Sequence, residues 1–403
     1  MQLIEKGRRT PSSDRPRLVT PVFLLVMGAT LAYFISVGAL IPTLPRYVEG
    51  PLGGGDVAVG IVIGAFALSA VIVRPVTGAV GDRHSRRVLM TSGAALVSVS
   101  VAGYALVSEL SALVILRVVS GVGEAAFYVG AASVINDLAP DERRGEALSY
   151  FSLALYAGLA VGPVLGETVL GDGRYDLTWL VAAAAAGLAA LLAWPVPDTR
   201  SERPERGSKG RIVHPAALLP GVILACSVWG LAGYNTFVPL YALALGLSGS
   251  RGVLVLYSVI VLTIRSLGAR IPDRLGPGLT ARFALGISGV ALVVIGLWPE
   301  PVGLYVGTAL FAVGQALAFP ALMTIAVHGA SATERSSVIG TFTAFFDLAF
   351  GAGAVSLGAV AAALGYGGTF VAAGAVGAMG FGLLLVRAQR KKGVQENRLV
   401  EAA

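Results

Sequence analysis

Nearly uninterrupted apolar runs recur along this chain at intervals of about 30 residues. Each is about 20 residues long, enough for a helix to cross the ~30 Å hydrocarbon layer of a membrane. Twelve such runs can be counted in the 403 residues. Lipid offers no hydrogen-bond partner to a free backbone group, so each run must close its own hydrogen bonds as a helix. A β-barrel is excluded, because its strands would read as short segments alternating apolar and polar residues. The composition agrees: 55% of residues are hydrophobic and 13% charged, where soluble domains carry about a quarter charged residues. The expected fold class is all-α integral membrane, with twelve transmembrane helices in two pseudo-symmetric six-helix bundles.

The charges place the chain in the membrane. A formal charge of +7 and a pI near 9.7 could point to a nucleic-acid partner, but their distribution argues against it. With the N-terminus inside, the outer connections hold only Arg46, Arg174 and Arg251, while Arg74, Arg117 and Arg265 lie within spans. All other Lys and Arg residues fall on the inner face, as the positive-inside rule requires. Both termini are therefore expected on the cytoplasmic side of the cell membrane. The expected organisation is a tail (1–20), a six-helix bundle (21–195), a polar linker (196–215), a second six-helix bundle (216–387) and a basic tail (388–403). The first apolar run exceeds a signal-peptide core and follows a polar, basic segment, so it is expected to remain as a span.

The two halves share a pattern. RPVTGAVGDRHSRR begins at Arg74, and RSLGARIPDRLGPG begins at Arg265. A shift of 191 positions places Arg265 on Arg74, Asp273 on Asp82 and Arg274 on Arg83. Glu142 and Arg143 find counterparts at Glu334 and Arg335, 192 positions on. Transporters built from such repeats place the solute between them, near the bilayer midplane.

Ionisable residues inside spans are functional candidates, because a charge at membrane depth costs several kcal/mol. They are Arg74, Arg117, Glu124 and Glu167 in the first half, and Arg265 and Asp347 in the second. On span 4, Arg117, Ser120, Gly121, Glu124 and Tyr128 share one helical face. Glu124 and Asp347 are expected to exchange protons while Arg117 sets their affinity. The alternative is that Arg117 with Glu124, and Arg265 with Asp347, form structural ion pairs. Arg74 and Arg265 could instead snorkel to the inner surface or take part in gating. His84, His214 and His328 lie away from the span centres, so no imidazole relay is expected. With Cys226 as the sole cysteine, neither a metal site nor a disulfide is expected.

These features resemble the major facilitator superfamily over nearly the whole chain. The family's loop motif between spans 2 and 3 is similar to Gly78, Gly81, Asp82, Arg83, His84, Ser85, Arg86 and Arg87, with Ser85 in place of the usual glycine. Leu113, Arg117, Gly121 and Gly123 match the span 4 motif. Gly158, Gly162, Pro163 and Gly166 match the glycine-proline motif of the family's exporters, with Glu167 replacing its final glycine.

The resemblance implies alternating access of two six-helix bundles. It implies a gating lock at Gly78, Asp82, Arg83, Arg86, Arg87 and Asp137, with a weaker second copy at Asp273 and Arg274. It also implies a cavity lined by spans 1, 4, 7 and 10. The lining candidates are Tyr33 and Ser36; Arg117, Glu124 and Tyr128; Tyr234, Asn235 and Phe237; and Gln315 and Phe319. Such an aromatic and amide lining suits apolar or weakly cationic solutes. The leading expectation is proton-coupled efflux of apolar or cationic compounds by a drug-type antiporter. Transport of a polar metabolite such as a sugar is the first alternative, and a non-transporting membrane receptor or scaffold the second. The expected partners are a small-molecule substrate and membrane lipid, with the protein monomeric. No enzymatic activity, cofactor, nucleic acid or ATP is expected, since nothing resembles a Walker loop and an ion gradient, expected to be of protons, supplies the drive.

Overall fold

The computed structural model describes residues 18–83, 85–140, 143–199, 214–267, 274–328 and 334–401, and these are helical almost throughout. The first half holds α1 (Pro21–Glu49), α2 (Gly55–Arg83), α3 (Arg86–Gly103), α4 (Leu110–Leu138), α5 (Arg144–Leu170) and α6 (Tyr175–Ala193). The second holds α7 (Pro215–Ala244), α8 (Arg251–Leu267), α9 (Pro277–Leu297), α10 (Pro301–Val327) and a helical run Arg335–Glu401. That run breaks at Gly365, whose φ of 69° and ψ of 179° no side-chain-bearing residue adopts readily. It is therefore two antiparallel helices, α11 (335–364) and α12 (366–401).

Ten of the described segments are long and apolar enough to cross a membrane, the last of them being the folded run Ser337–Arg387. Counting that run as two helices and adding α8, which has 17 described residues, brings the described spans to twelve. α1 runs 29 residues and continues through Pro42 and Pro45 to Glu49.

Local chemistry sets the helix ends. The Thr20 hydroxyl accepts a hydrogen bond from the Phe23 amide at 3.1 Å, with Pro21 opening the first turn of α1. Ser85 caps α3 in the same way, its Oγ accepting from Val88 N at 3.3 Å. The family's usual glycine could not do this, so Ser85 gives α3 a defined start.

In lipid the helices gain little from apolar burial against one another, and close backbone packing through small residues holds them together. α1 packs on α5 and α6, α3 on α4 and α6, and α2 on α4. The second half repeats the arrangement, with α7 against α11 and α12, α9 against α10 and α12, and α8 against α10. The same 191-residue offset governs side-chain geometry. Tyr128 meets Phe151 edge-on at 5.8 Å and 62°, and Phe319 meets Phe342 at 5.5 Å and 64°. A Cβ on Gly123 would lie 2.8 Å from Gly93 O, and one on Gly314 would lie 2.7 Å from Ala284 O. The halves meet along α2 and α11, along α5 and α8, and where α1 approaches α7.

Candidate functional site

Three ionisable side chains converge from both halves. Arg74 of α2 pairs with Asp347 of α11 through Nη1, and its Nη2 lies 3.2 Å from Glu124 Oε2 and 3.4 Å from Oε1 on α4. All three are largely shielded, with side-chain exposures of 19% for Arg74, 13% for Glu124 and 19% for Asp347. The guanidinium also sits over the Tyr128 ring, 5.1 Å from its centre, and its buried Nε has no hydrogen-bond partner among the described residues. One fixed positive charge therefore faces two carboxylates. With both ionised, the cluster carries a net charge of −1 that nothing else described there offsets.

This arrangement overturns both expected ion pairs. Arg117 does not pair with Glu124: it is 6% exposed, its Nε donates to the Val62 carbonyl at 3.1 Å, and its guanidinium covers the Phe66 ring at 4.3 Å. It points from α4 into α2, so it braces two helices and does not touch the carboxylate it was expected to tune. Arg265 does not pair with Asp347 either, because Arg74 takes that carboxylate. Arg74 does not snorkel, since it finds counter-charges at depth. Arg265 lies with its guanidinium 3.8 Å from the centre of the Tyr156 ring on α5.

The lining candidates separate into two groups. Tyr33, Phe237 and Tyr234 are fully buried and packed between helices. Tyr33 stacks on Phe127 at 4.0 Å, and the Tyr234 hydroxyl shares a 3.0 Å hydrogen bond with Thr308. Ser36 is buried, and its hydroxyl has no hydrogen-bond partner among the described residues. Tyr128, Asn235 and Phe319 are partly open, and Gln315 donates to Ser227 Oγ at 3.2 Å.

At the arginine-rich end, Arg86 reaches Asp137, whose Oδ2 also accepts from Thr199 Oγ1 at 2.7 Å. This contact joins the start of α3 to the end of α4 within the first half. Gly78 sits in α2 with open space where a side chain would stand. Arg87 and Arg274 are exposed; Asp273 and the side chains of Asp82 and Arg83 lie outside the described residues. Gly158, Gly162 and Gly166 each face α1, against Leu31, Ile35 and Ala39 in turn, with Pro163 beside Gly38.

Glu167 lies at the opposite end and joins the two halves. Its side chain is 6% exposed, and its Oε1 accepts from the Ser250 amide and the Ser250 hydroxyl, both at 2.7 Å. A carboxylate thus meets the residue just before α8, at the helix end where free amides and the helix dipole favour negative charge. Arg46 of α1 stands 3.9 Å away. Tyr366 of α12 donates to Glu49 of α1 at 3.2 Å at the same end. Sequence reading did not find the Arg74 hub or the Glu167 contact. One signal was available for the hub: among the repeat positions, Arg74 and Arg265 are alike, but the partners of Arg74 are carboxylates and those at the matching positions are not.

Between residues 26 and 331 the chain matches the Major Facilitator Superfamily model. The chain belongs to this family, and it is a multi-pass membrane protein of a transporter fold. It is 30% identical to an uncharacterized MFS-type transporter of Pseudomonas aeruginosa, over 95% of this chain and 98% of that one. A Salmonella typhimurium MFS-type transporter is 24% identical over 88% of this chain and 93% of its own length. Among solved structures, a bacterial homologue of the human lysosomal transporter Spinster, inward-facing and occupied, superposes with a TM-score of 0.77 at 15% identity, covering 91% of this chain and 96% of that one.

Proposed function

We propose that the protein is a proton-coupled secondary transporter that exports small, largely apolar organic compounds from the cytoplasm by alternating access. The observation that carries this reading is the Arg74–Glu124–Asp347 cluster. Its two carboxylates come from different halves and share one guanidinium. Rocking one half against the other would separate Arg74 from Asp347 while α2 and α4 move together, so the charge balance of the cluster changes with conformation. A carboxylate released from a cation in a poorly solvated site gains by taking up a proton. An organic cation could neutralise the same excess charge, which supports competition between proton and solute. The Arg86–Asp137 contact serves in this scheme to keep the first half rigid during the swing, and the Glu167 and Glu49 contacts hold the outer ends together until they part.

The test is transport by the full chain in proteoliposomes. Glu124→Gln and Asp347→Asn are each expected to reduce solute flux driven by a pH gradient at least tenfold while leaving the protein folded. Counterflow without a gradient should persist. A panel of organic solutes that elicits no proton movement from folded protein, or both variants coupling normally, would sink the proposal.

A further inference from the structure

We propose that Arg265 is an anion handle for the transported solute, taking the carboxylate of an amphipathic organic acid or zwitterion. The inference rests on the reading that the solute passes between the two halves, and it gives that solute an anionic group. It starts from a comparison of the two copies of the charged cluster. Arg74 and Arg265 are 191 positions apart, and so are Glu124 and Gln315, and Tyr156 and Asp347. The structure places Arg74 against Glu124 and Asp347, and it places Arg265 against Tyr156. The second copy of the cluster therefore keeps its cation and has lost both counter-charges, to an amide and a phenol.

The guanidinium of Arg265 is set up to accept an anion. Tyr156 covers one face at 3.8 Å, which leaves the edge donors as the route of approach. Its buried Nε has no hydrogen-bond partner, and no carboxylate pairs with it, among the described residues. Gln315 already donates to Ser227, and an arginine cannot shed its charge by losing a proton. A cation whose shielded Nε lacks a partner is costly, and an arriving carboxylate matches its planar fork. A single fixed charge favours a monoanion. The surroundings set the rest of the ligand: Tyr156, Tyr257, Ile260 and Ile264 pack around Val261, Ala312 and Ala316, so the body next to the carboxylate should be apolar.

Equilibrium binding to the purified full chain, with no ion gradient, tests this separately from coupling. The probes share one skeleton: 4-phenylbutyrate, its methyl ester and 4-phenylbutylamine. Wild-type protein is expected to bind phenylbutyrate saturably, seen as a rise in unfolding temperature, and to ignore the ester. Arg265→Gln should weaken phenylbutyrate binding about tenfold or more, the scale of losing a charge-assisted hydrogen bond, and Arg265→Lys should fall between. Gln315→Glu should also weaken it, because the new carboxylate would occupy the guanidinium. These last two variants carry the test if Arg265→Gln does not fold, and Gly382→Ala, a change in α12 with open space where the side chain would stand, serves as the folded control. Three outcomes overturn the proposal: no binding of phenylbutyrate to folded wild type, equal binding by the Arg265 variants, or binding of the amine alone. Protection by phosphatidylglycerol without protection by phenylbutyrate would assign the guanidinium to a lipid headgroup, and that too overturns it.

Discussion

Replacing Arg74 by leucine is expected to abolish transport and to destabilise the protein by about 3–5 kcal/mol, the cost of removing one partner from a shielded ion pair. The physical reason is what remains. Glu124 and Asp347 would face each other from α4 and α11 with no cation between them, and either burial of the charges or uptake of protons must follow. Thermal unfolding in detergent reads the stability, and solute flux in proteoliposomes reads the transport. Adding Glu124→Gln and Asp347→Asn to Arg74→Leu removes the orphaned charges. The triple variant should regain most of the lost stability while proton coupling stays absent. If Arg74→Leu alone unfolds like wild type, the guanidinium is not the electrostatic centre of the site. By contrast, an arginine-to-lysine change should keep the stability in part and lose the shared contact, since an ammonium cannot span two carboxylates from one planar fork.

Widening Gly166 to valine is expected to be nearly as damaging, for a steric reason. Gly158, Gly162 and Gly166 form a row on α5 that meets backbone on α1. A Cβ at Gly158 would come within 2.8 Å of Leu31 O, one at Gly162 within 2.6 Å of Ile35 O, and one at Gly166 would overlap Ala39 O and lie 2.9 Å from its Cα. Backbone cannot rotate away as a side chain can, so the helices must part along the whole row. Overpacking of this kind typically costs about 1–3 kcal/mol, and contact with backbone puts Gly166→Val at the upper end. Gly78→Ala supplies the comparison: open space surrounds that position, and alanine is the better helix former. Unfolding midpoints of the two variants should differ clearly, with Gly78→Ala at or above wild type. Equal midpoints would mean that α1 and α5 do not pack through this row.

These two results bear on what could be read from the chain in advance. The glycines of α5 were legible as a motif, since small residues at four-residue spacing make one helical face whatever the partner is. Their partner was not, because nothing local to residues 158–166 specifies α1. Glu167, which replaces the final glycine of that motif, supplies in the folded protein the contact that joins α5 to the start of α8. The ionisable residues were also legible, since charge in an apolar run stands out against its neighbours. Their pairing was misjudged. Arg117 and Glu124 are seven residues apart on one helix, and proximity along the chain made them partners on paper. Arg117 turns to the Val62 carbonyl instead.

By itself the sequence determined the number of spans, the repeat and the basic end. Each of these depends on local quantities: the length of an apolar run, the spacing of two similar segments, and the position of arginines relative to both. Only the tertiary structure decided which charges meet. Arg74, Glu124 and Asp347 lie on three helices and span 273 positions of chain from first to last, and ion pairing acts over a few ångströms of space without regard to chain distance. The same packing left Arg265 with an aromatic face and no carboxylate among the described residues, although the 191-position repeat matches it to Arg74.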